Sequence, residues 1–276
     1  MPVSLSEISR LEAIVGRVLG APGKIDVLPS GTTGLSYLVT TESGRYVAKV
    51  FFPDSHVLLG PAKQFELLEV LAGTGIAPRP VGFDVEARLL VTAFLEGATP
   101  ATSERLGQHE SIKALALGLK TLHSVSADIP HFIPEAFAER YLARIGGLQL
   151  LSARDRQRYD ELLKLSAMLE SEHVGVCHND LTAENLLFDA GLKLIDFDYA
   201  AIGPPVIDLA SAVVMNGLAD RESSALLDAY FVGESPFSAT EFARVQRLVR
   251  LLAHFWSLAS KGAGAAIVGR YRIEDV

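Results

Sequence analysis

The segment from His178 to Asp198 holds the polar side chains best suited to chemistry. The run HNDLTAENLL contains a carboxylate at Asp180 and an amide oxygen at Asn185, and the run LIDFDYA adds a carboxylate at Asp196. Short apolar stretches, VGVCH and LKLIDF, flank the loop, and we expect them to pair as a hairpin. Carboxylate and amide oxygens suit Mg²⁺, which binds through one or two carboxylates together with substrate phosphates. Asp180 would then face an acceptor hydroxyl as its base.

Other interpretations of this segment stay open. A lone His-x-Asp is most often part of a solvated loop rich in Asp and Asn. A metal-dependent hydrolase that uses Asp180, Asp196 and Asp198 would take water as its acceptor, and a catalytically silent nucleotide-binding protein would keep the same residues without turnover. The combined pattern, HxDxxxxN followed by an apolar strand that ends in DFD, is much rarer than a lone His-x-Asp and favours a catalytic site.

The composition is that of an ordinary globular protein. The chain has 276 residues, 49% hydrophobic and 21% charged, which suffices for one large domain or two coupled ones. A formal net charge of −8 without any basic run argues against a nucleic-acid partner and would favour a cationic substrate. The single cysteine, Cys177, excludes an intrachain disulfide, and no apolar run is long enough for a membrane span. With no secretory signal recognisable, we expect a cytoplasmic location.

Two regions of different secondary structure are predicted to position this segment. Residues 25–52 contain three β-prone runs separated by the turns SGTTG and ESG, and a helix over 62–72 and another strand pair follow. From Ser103 onward the periodicity is mainly helical. We therefore predict an α+β fold with a small antiparallel-sheet lobe over residues 1–96 and a larger helical lobe over residues 97–276, joined by an extensive interface.

The motifs HNDLTAENLL and LIDFDYA resemble the catalytic and metal loops of the aminoglycoside phosphotransferase and choline kinase family, whose fold is similar to that of protein kinases. The resemblance extends from about Ile25 to the C-terminal helices and implies a bilobal, protein-kinase-like fold. It implies that Asp180 orients or deprotonates an acceptor hydroxyl. It also implies that Asn185 and Asp196 hold Mg²⁺ against the phosphates of ATP, the co-substrate, and that Asp198 faces the substrate.

Further positions fit this family and distinguish the chain from protein kinases. The pair Leu122-His123 matches the end of a family helix, and Asp208 in IDLA matches a residue that braces the catalytic loop. The triplet HND lacks the arginine that protein kinases place beside the histidine, and Thr182 stands where they usually have lysine. Asp208 follows Asp196 by only 12 positions, which leaves no room for a long activation segment. A peptide substrate is therefore not expected.

The nucleotide contacts are expected mainly in the first lobe. Lys49 lies on a predicted strand, where the family lysine reaches the α- and β-phosphates. The usual position of its glutamate partner holds Gln64, so either Glu66 takes that role with a shifted helix or Lys49 pairs differently. The turn SGTTG occupies the place of a phosphate-covering loop, and the run LLVTAF resembles the hinge that meets adenine. The remaining contacts predicted there are Ser30, Gly31, Thr32, Thr33, Ala93 and Leu95.

The acceptor is expected to be a small molecule with a hydroxyl group. The runs CHND and DFDYA are closest to those of choline and ethanolamine kinases, and aminoglycosides, thiamine and sugars stay as alternatives. Trp256 lies on a predicted late helix, where choline-kinase-like proteins place aromatic residues around a quaternary ammonium. Most tryptophans at such positions belong to the core, so its role as a wall for a cationic acceptor is a hypothesis.

Overall fold

The structure is a computed structural model that describes residues 5–21, 23–29, 31–53, 55, 57–169, 174–232 and 235–261. Its N-terminal part is a five-stranded antiparallel sheet in the order β1-β2-β3-β5-β4. The elements of this part are α1 (Leu5–Leu19), β1 (Lys24–Val27), β2 (Gly34–Thr41), β3 (Gly44–Phe51), α2 (Pro61–Ala72), β4 (Pro80–Asp84) and β5 (Leu89–Ala93).

The two faces of the sheet pack against different helices. On β3, Ala48 and Val50 belong to a small core with Leu11 and Val15 of α1, whereas Phe51 belongs to the main core with α2. This alternation follows from the two-residue period of a strand. Lys49 lies between Ala48 and Val50 and therefore points to the side of α2, which is the side of the second lobe.

The C-terminal part is mainly helical. Its elements are β6 (Thr99–Pro100), α3 (Ser103–Leu106), α4 (His109–Ser124), α5 (Pro134–Ile145), α6 (Ala153–Ala167), β7 (Gly175–Cys177), β8 (Leu186–Phe188), β9 (Leu192–Leu194), β10 (Ala201–Gly203), α7 (Pro205–Asn216), α8 (Asp220–Phe231) and α9 (Ala239–Lys261). Short 3₁₀ turns cover Leu148–Leu150 and Ala183–Asn185. The α+β prediction is therefore confirmed.

The predicted hairpin between VGVCH and LKLIDF is wrong. Strand β7 pairs with β10, and β9 pairs with β8. The reason is local: a tight turn at Asp189 and Gly191, closed by two hydrogen bonds between these residues, folds β9 back onto the strand directly before it. Both catalytic runs nevertheless begin at the ends of short, buried strands.

One buried cluster joins the two parts of the molecule. Leu67 and Leu71 of α2 belong to the same apolar core as Leu115 and Leu119 of α4, and most of the larger lobe continues it. This shared core agrees with the predicted extensive interface, while the lobe boundary at residues 96 and 97 stays a prediction. None of the helices in the described part of the chain combines the length and the hydrophobicity that crossing a bilayer requires.

Candidate active site

A buried carboxylate fixes the loop that carries Asp180. Asp208, on α7, accepts hydrogen bonds from the backbone N–H groups of His178 (2.7 Å) and Asn179 (2.8 Å). Asn179 has a φ of 63°, a left-handed conformation that asparagine tolerates better than most residues. Its side chain donates to the Tyr199 carbonyl at 2.9 Å. Asp208 thus fixes the backbone amides of both residues before Asp180. The Asn179 side chain also connects this turn to the loop after Asp198.

A second layer fixes Asp208 itself. The Nε2 atom of His123 lies 3.1 Å from Asp208 Oδ2, and its Nδ1 atom lies 2.9 Å from the Tyr230 hydroxyl. Burial alone would raise the pKa of Asp208, but hydrogen bonding and charge from His123 hold it below the ordinary aspartate value. The structure thus confirms the brace that the sequence predicted at Asp208, and it adds His123 as the residue that holds Asp208. Cys177 is fully buried and donates to the Gly203 carbonyl, as expected for a small core residue.

Asp180 and Asn185 are joined by their side chains. The Asn185 amide nitrogen donates to the backbone carbonyl and to Oδ2 of Asp180, both at 2.9 Å. Both amide hydrogens are used in this way, so the Asn185 oxygen is the atom left for a ligand. Burial raises the pKa of Asp180.

His178 is not a base candidate, because it is fully buried and its Nε2 atom lies 2.9 Å from the Ile195 carbonyl, to which it donates.

Lys49 lies between two carboxylates from the opposite lobe. Its ammonium is 2.5 Å from Asp196 Oδ1 and 2.7 Å from Asp198 Oδ2. Burial alone would lower the pKa of Lys49, but the two carboxylates raise it above its usual range. Asp196 has a φ of 67°, a strained conformation typical of functional loops. Burial and the charge of Asp198 raise the pKa of Asp196 to about 7.

The partners of Lys49 are Asp196 and Asp198, and not a glutamate of α2. Glu66 pairs with Lys63 on the exposed side of that helix, at 2.8 Å, so of the two predicted alternatives the structure has the one in which Lys49 pairs differently. Gln64 has the inward position instead and donates from its amide to Asp198 Oδ1 at 2.8 Å. Asp198 is only 1% exposed, and the charge of Lys49 holds its pKa below the ordinary value against the effect of burial. Asp198 is therefore a counterion of Lys49. Its predicted contact with the substrate stays a prediction.

The turn SGTTG contributes to the same cavity as this cluster. Gly31, Thr32 and Thr33 line the same cavity as Asp180 and Asp196, and the Thr33 side chain contributes to the lowered pKa of Asp198. Ser30, the other residue predicted in this turn, lies outside the described residues. In the hinge, the Ala93 amide is already used by the Arg79 carbonyl at 2.8 Å. Leu95 is half-buried two residues further on, and neither residue lines the cavity, so the adenine contacts of Ala93 and Leu95 stay a prediction.

A cavity of about 510 Å³ connects these groups to an aromatic compartment. Tyr199 and Trp256 line it, and the Trp256 indole donates to the Tyr199 hydroxyl at 3.4 Å. Tyr141 of α5 lines it as well, and burial raises the pKa of this tyrosine, with the charge of Asp180 as a smaller contribution. The structure therefore places Trp256 in the same cavity as Asp180. Sequence reasoning missed Tyr141 because α5 carries no motif.

Two of the oxygen-bearing side chains that line this cavity fit a magnesium ion. Asp196 supplies a carboxylate and Asn185 a free amide oxygen, and both side chains line the cavity. The backbone N–H of Ile195 donates to the Asn185 carbonyl at 3.1 Å, which keeps the two ligand-bearing loops adjacent. Hard oxygen donors of this kind are the ones that Mg²⁺ prefers.

The sequence and the structure are both similar to those of known phosphotransferases and kinases. The sequence matches the model of the phosphotransferase enzyme family over residues 24–248. It is 23% identical to protein LicA of Haemophilus influenzae over 61% of this chain and 65% of that protein, so it spans less than two thirds of this relative. It is 28% identical to a homoserine kinase of a Janthinobacterium species over 92% of this chain and 85% of that protein. The crystal structure of choline kinase LicA from Streptococcus pneumoniae superposes with a TM-score of 0.79 at 23% identity and covers 94% of this chain and 92% of that chain.

Proposed function

Because this chain belongs to the phosphotransferase enzyme family, we propose that it transfers the γ-phosphate of ATP to the hydroxyl group of a small amino alcohol. The observation that carries the proposal is one cavity with Asp180 on its wall and the Asp196–Asp198 pair, bound to Lys49, beside it. In that arrangement an acceptor hydroxyl and a nucleotide phosphate would meet between a base and a cationic centre.

Each polar group has a distinct role in this reaction. Asp180 accepts a hydrogen bond from the acceptor hydroxyl and takes its proton as the new oxygen–phosphorus bond forms and the bond to ADP breaks. Lys49 neutralises charge on the phosphates of the nucleotide. Asp196 and Asn185 would hold Mg²⁺, which neutralises charge on the phosphate oxygens when it is bound. No covalent phosphoenzyme is required.

The lining of the cavity supports an acceptor with an amine. Tyr141, Tyr199 and Trp256 line the cavity together with the negative charges of Asp180 and Glu184, and an aromatic ring attracts an ammonium group to its face. Choline and homoserine, the compounds that name two of the relatives, both carry a primary hydroxyl and a cationic nitrogen. Ethanolamine has the same two groups and is the simplest member of the class.

A phosphorylation screen tests the proposal. Purified protein is incubated with ATP, Mg²⁺ and one alcohol at a time, and new phosphate monoesters are detected by phosphorus NMR together with ADP release. We expect a monoester with at least one amino alcohol and much slower turnover with sugars that have no amine. ATP consumption that yields inorganic phosphate equally with and without every alcohol would contradict it and favour a hydrolase. An Asp196→Asn variant serves as the inactive control.

A further inference from the structure

One basic side chain lines the acceptor end of the cavity. Arg144 lies on α5, three residues after Tyr141 and therefore on the same face of the helix, about one turn further along. The ionisable acids that line the cavity are Asp180, Glu184, Asp196 and Asp198; among the described lining residues no other lysine or arginine is present. The other described lining residues are aromatic, aliphatic, polar or acidic, so Arg144 carries the one cationic group of this lining that a ligand could contact.

Arg144 has no partner of its own within the described ranges. It forms no hydrogen bond, ion pair or ring contact there, although it is half-buried. Other arginines of the same region are engaged: Arg158 pairs with Asp155, and Arg140 stacks over the Phe137 ring. With no partner among the residues that the structure describes, the guanidinium at this wall is open to a ligand in the cavity.

From this placement we propose that Arg144 selects the acceptor by binding a carboxylate on it, so that the preferred acceptor is a hydroxy-amino acid. A guanidinium offers parallel N–H donors that match the two oxygens of a carboxylate. A purely cationic acceptor has no group that this guanidinium could bind. A zwitterion places its ammonium near the aromatic and acidic side chains and its carboxylate at Arg144. The inference rests on the proposed function and names the substrate class of the same site.

Pairs of acceptors that differ only in a carboxylate measure how much this group contributes to acceptor recognition. Ethanolamine is serine without its carboxylate, and 3-aminopropanol is homoserine without its carboxylate, so each pair differs in that one group. We expect the wild-type protein to have a kcat/KM about ten- to a hundredfold higher for the carboxylated member of at least one pair, the range expected for a hydrogen-bonded charge pair. Comparison of the two pairs also reports the distance between hydroxyl and carboxylate that the site accepts.

Variants of Arg144 test whether this residue causes the preference for carboxylated acceptors. In Arg144→Met the KM for the carboxylated acceptor should rise about ten- to a hundredfold, with the KM for ATP and the values for the decarboxylated partner unchanged. Arg144→Lys should restore part of the preference, because lysine keeps the charge but not the bidentate geometry. Arg140→Met is the matched control, since Arg140 lies one turn away on the same helix, is exposed and does not line the cavity.

The outcomes separate this inference from the function it rests on. Equal kcat/KM values within both acceptor pairs, or an Arg144→Met variant that changes both members of a pair alike, would overturn the role of Arg144 while leaving the kinase activity in place. Calorimetry of serine and homoserine with the ADP-bound protein adds a readout that needs no turnover. If the wild type binds these amino acids and Arg144→Met does not, the carboxylate site is supported. If, in addition, no alcohol is phosphorylated, the proposed kinase function is contradicted but the carboxylate site is not. Equal binding by both proteins contradicts the site.

Discussion

Replacement of Gln64 by methionine tests whether Asp198 is held as the counterion of Lys49. The Gln64 amide donates to the Leu59 carbonyl at 2.9 Å and to Asp198 Oδ1 at 2.8 Å, and the side chain is 2% exposed. Methionine is similar in length and volume, so the variant loses the two hydrogen bonds without leaving a large cavity. A neutral hydrogen bond contributes about 1 kcal/mol and one to a carboxylate about 1.5–3 kcal/mol. We therefore expect the free energy of unfolding to fall by about 2–4 kcal/mol.

Thermal unfolding and ATP kinetics measure the two consequences. For a chain of this size, each kcal/mol lowers the Tm by roughly 2–4 °C, so Gln64→Met should melt roughly 4–16 °C below the wild type. The KM for ATP should rise as well, because Asp198 is no longer held where it fixes the ammonium of Lys49. Glu66→Gln is the control, since Glu66 pairs with Lys63 on the surface, and neither quantity should change measurably.

The opposite pattern would refute the reasoning. If Gln64→Met keeps the wild-type Tm and KM for ATP while Glu66→Gln raises the KM, the lysine has a glutamate partner on α2 after all. In that case the contacts of Lys49 with Asp196 and Asp198 would not describe the working arrangement.

Other substitutions test the remaining supports of the site. Asp208→Asn should lower the unfolding free energy by about 2–4 kcal/mol in urea denaturation, because an amide cannot accept from His123 and both loop N–H groups as well as a carboxylate does. Asn185→Ala should raise the Mg²⁺ concentration needed for half-maximal activity, and an unchanged requirement would remove Asn185 from the ligand set. Trp256→Leu should raise the KM for an amino alcohol about two- to thirtyfold with the KM for ATP unchanged. A lower Tm with an unchanged acceptor KM would assign Trp256 to the core alone.

The parts of the site that sequence alone could place are those that a short motif spans. Asp180 and Asn185 are five positions apart in one loop, and Asp196 follows a single short hairpin, so local geometry brings them together. The β-prone run around Lys49 and the turns on either side of it also predict its strand. Hydrophobic periodicity also predicted most of the long helices.

The parts that sequence could not place depend on contacts between distant segments. Gln64 and Asp198 are 134 positions apart, and nothing in either local pattern indicates that the amide of one donates to the carboxylate of the other. The partner of β7 is β10, because the chain between VGVCH and LKLIDF already contains β8, a nearer partner for β9. Arg144 lies on an amphipathic helix without a motif, and only tertiary packing shows that this face of α5 lines the cavity.

Asp180→Asn gives the most direct test of the proposed chemistry. The measurement is kcat with the best amino alcohol of the screen, alongside the calorimetric affinity for ATP in the presence of Mg²⁺. If Asp180 orients the hydroxyl and takes its proton, kcat should fall by about 10²–10⁴-fold while nucleotide affinity stays near the wild-type value. A variant that turns over at nearly the wild-type rate, with its nucleotide affinity intact, would contradict the assignment of Asp180 as the base.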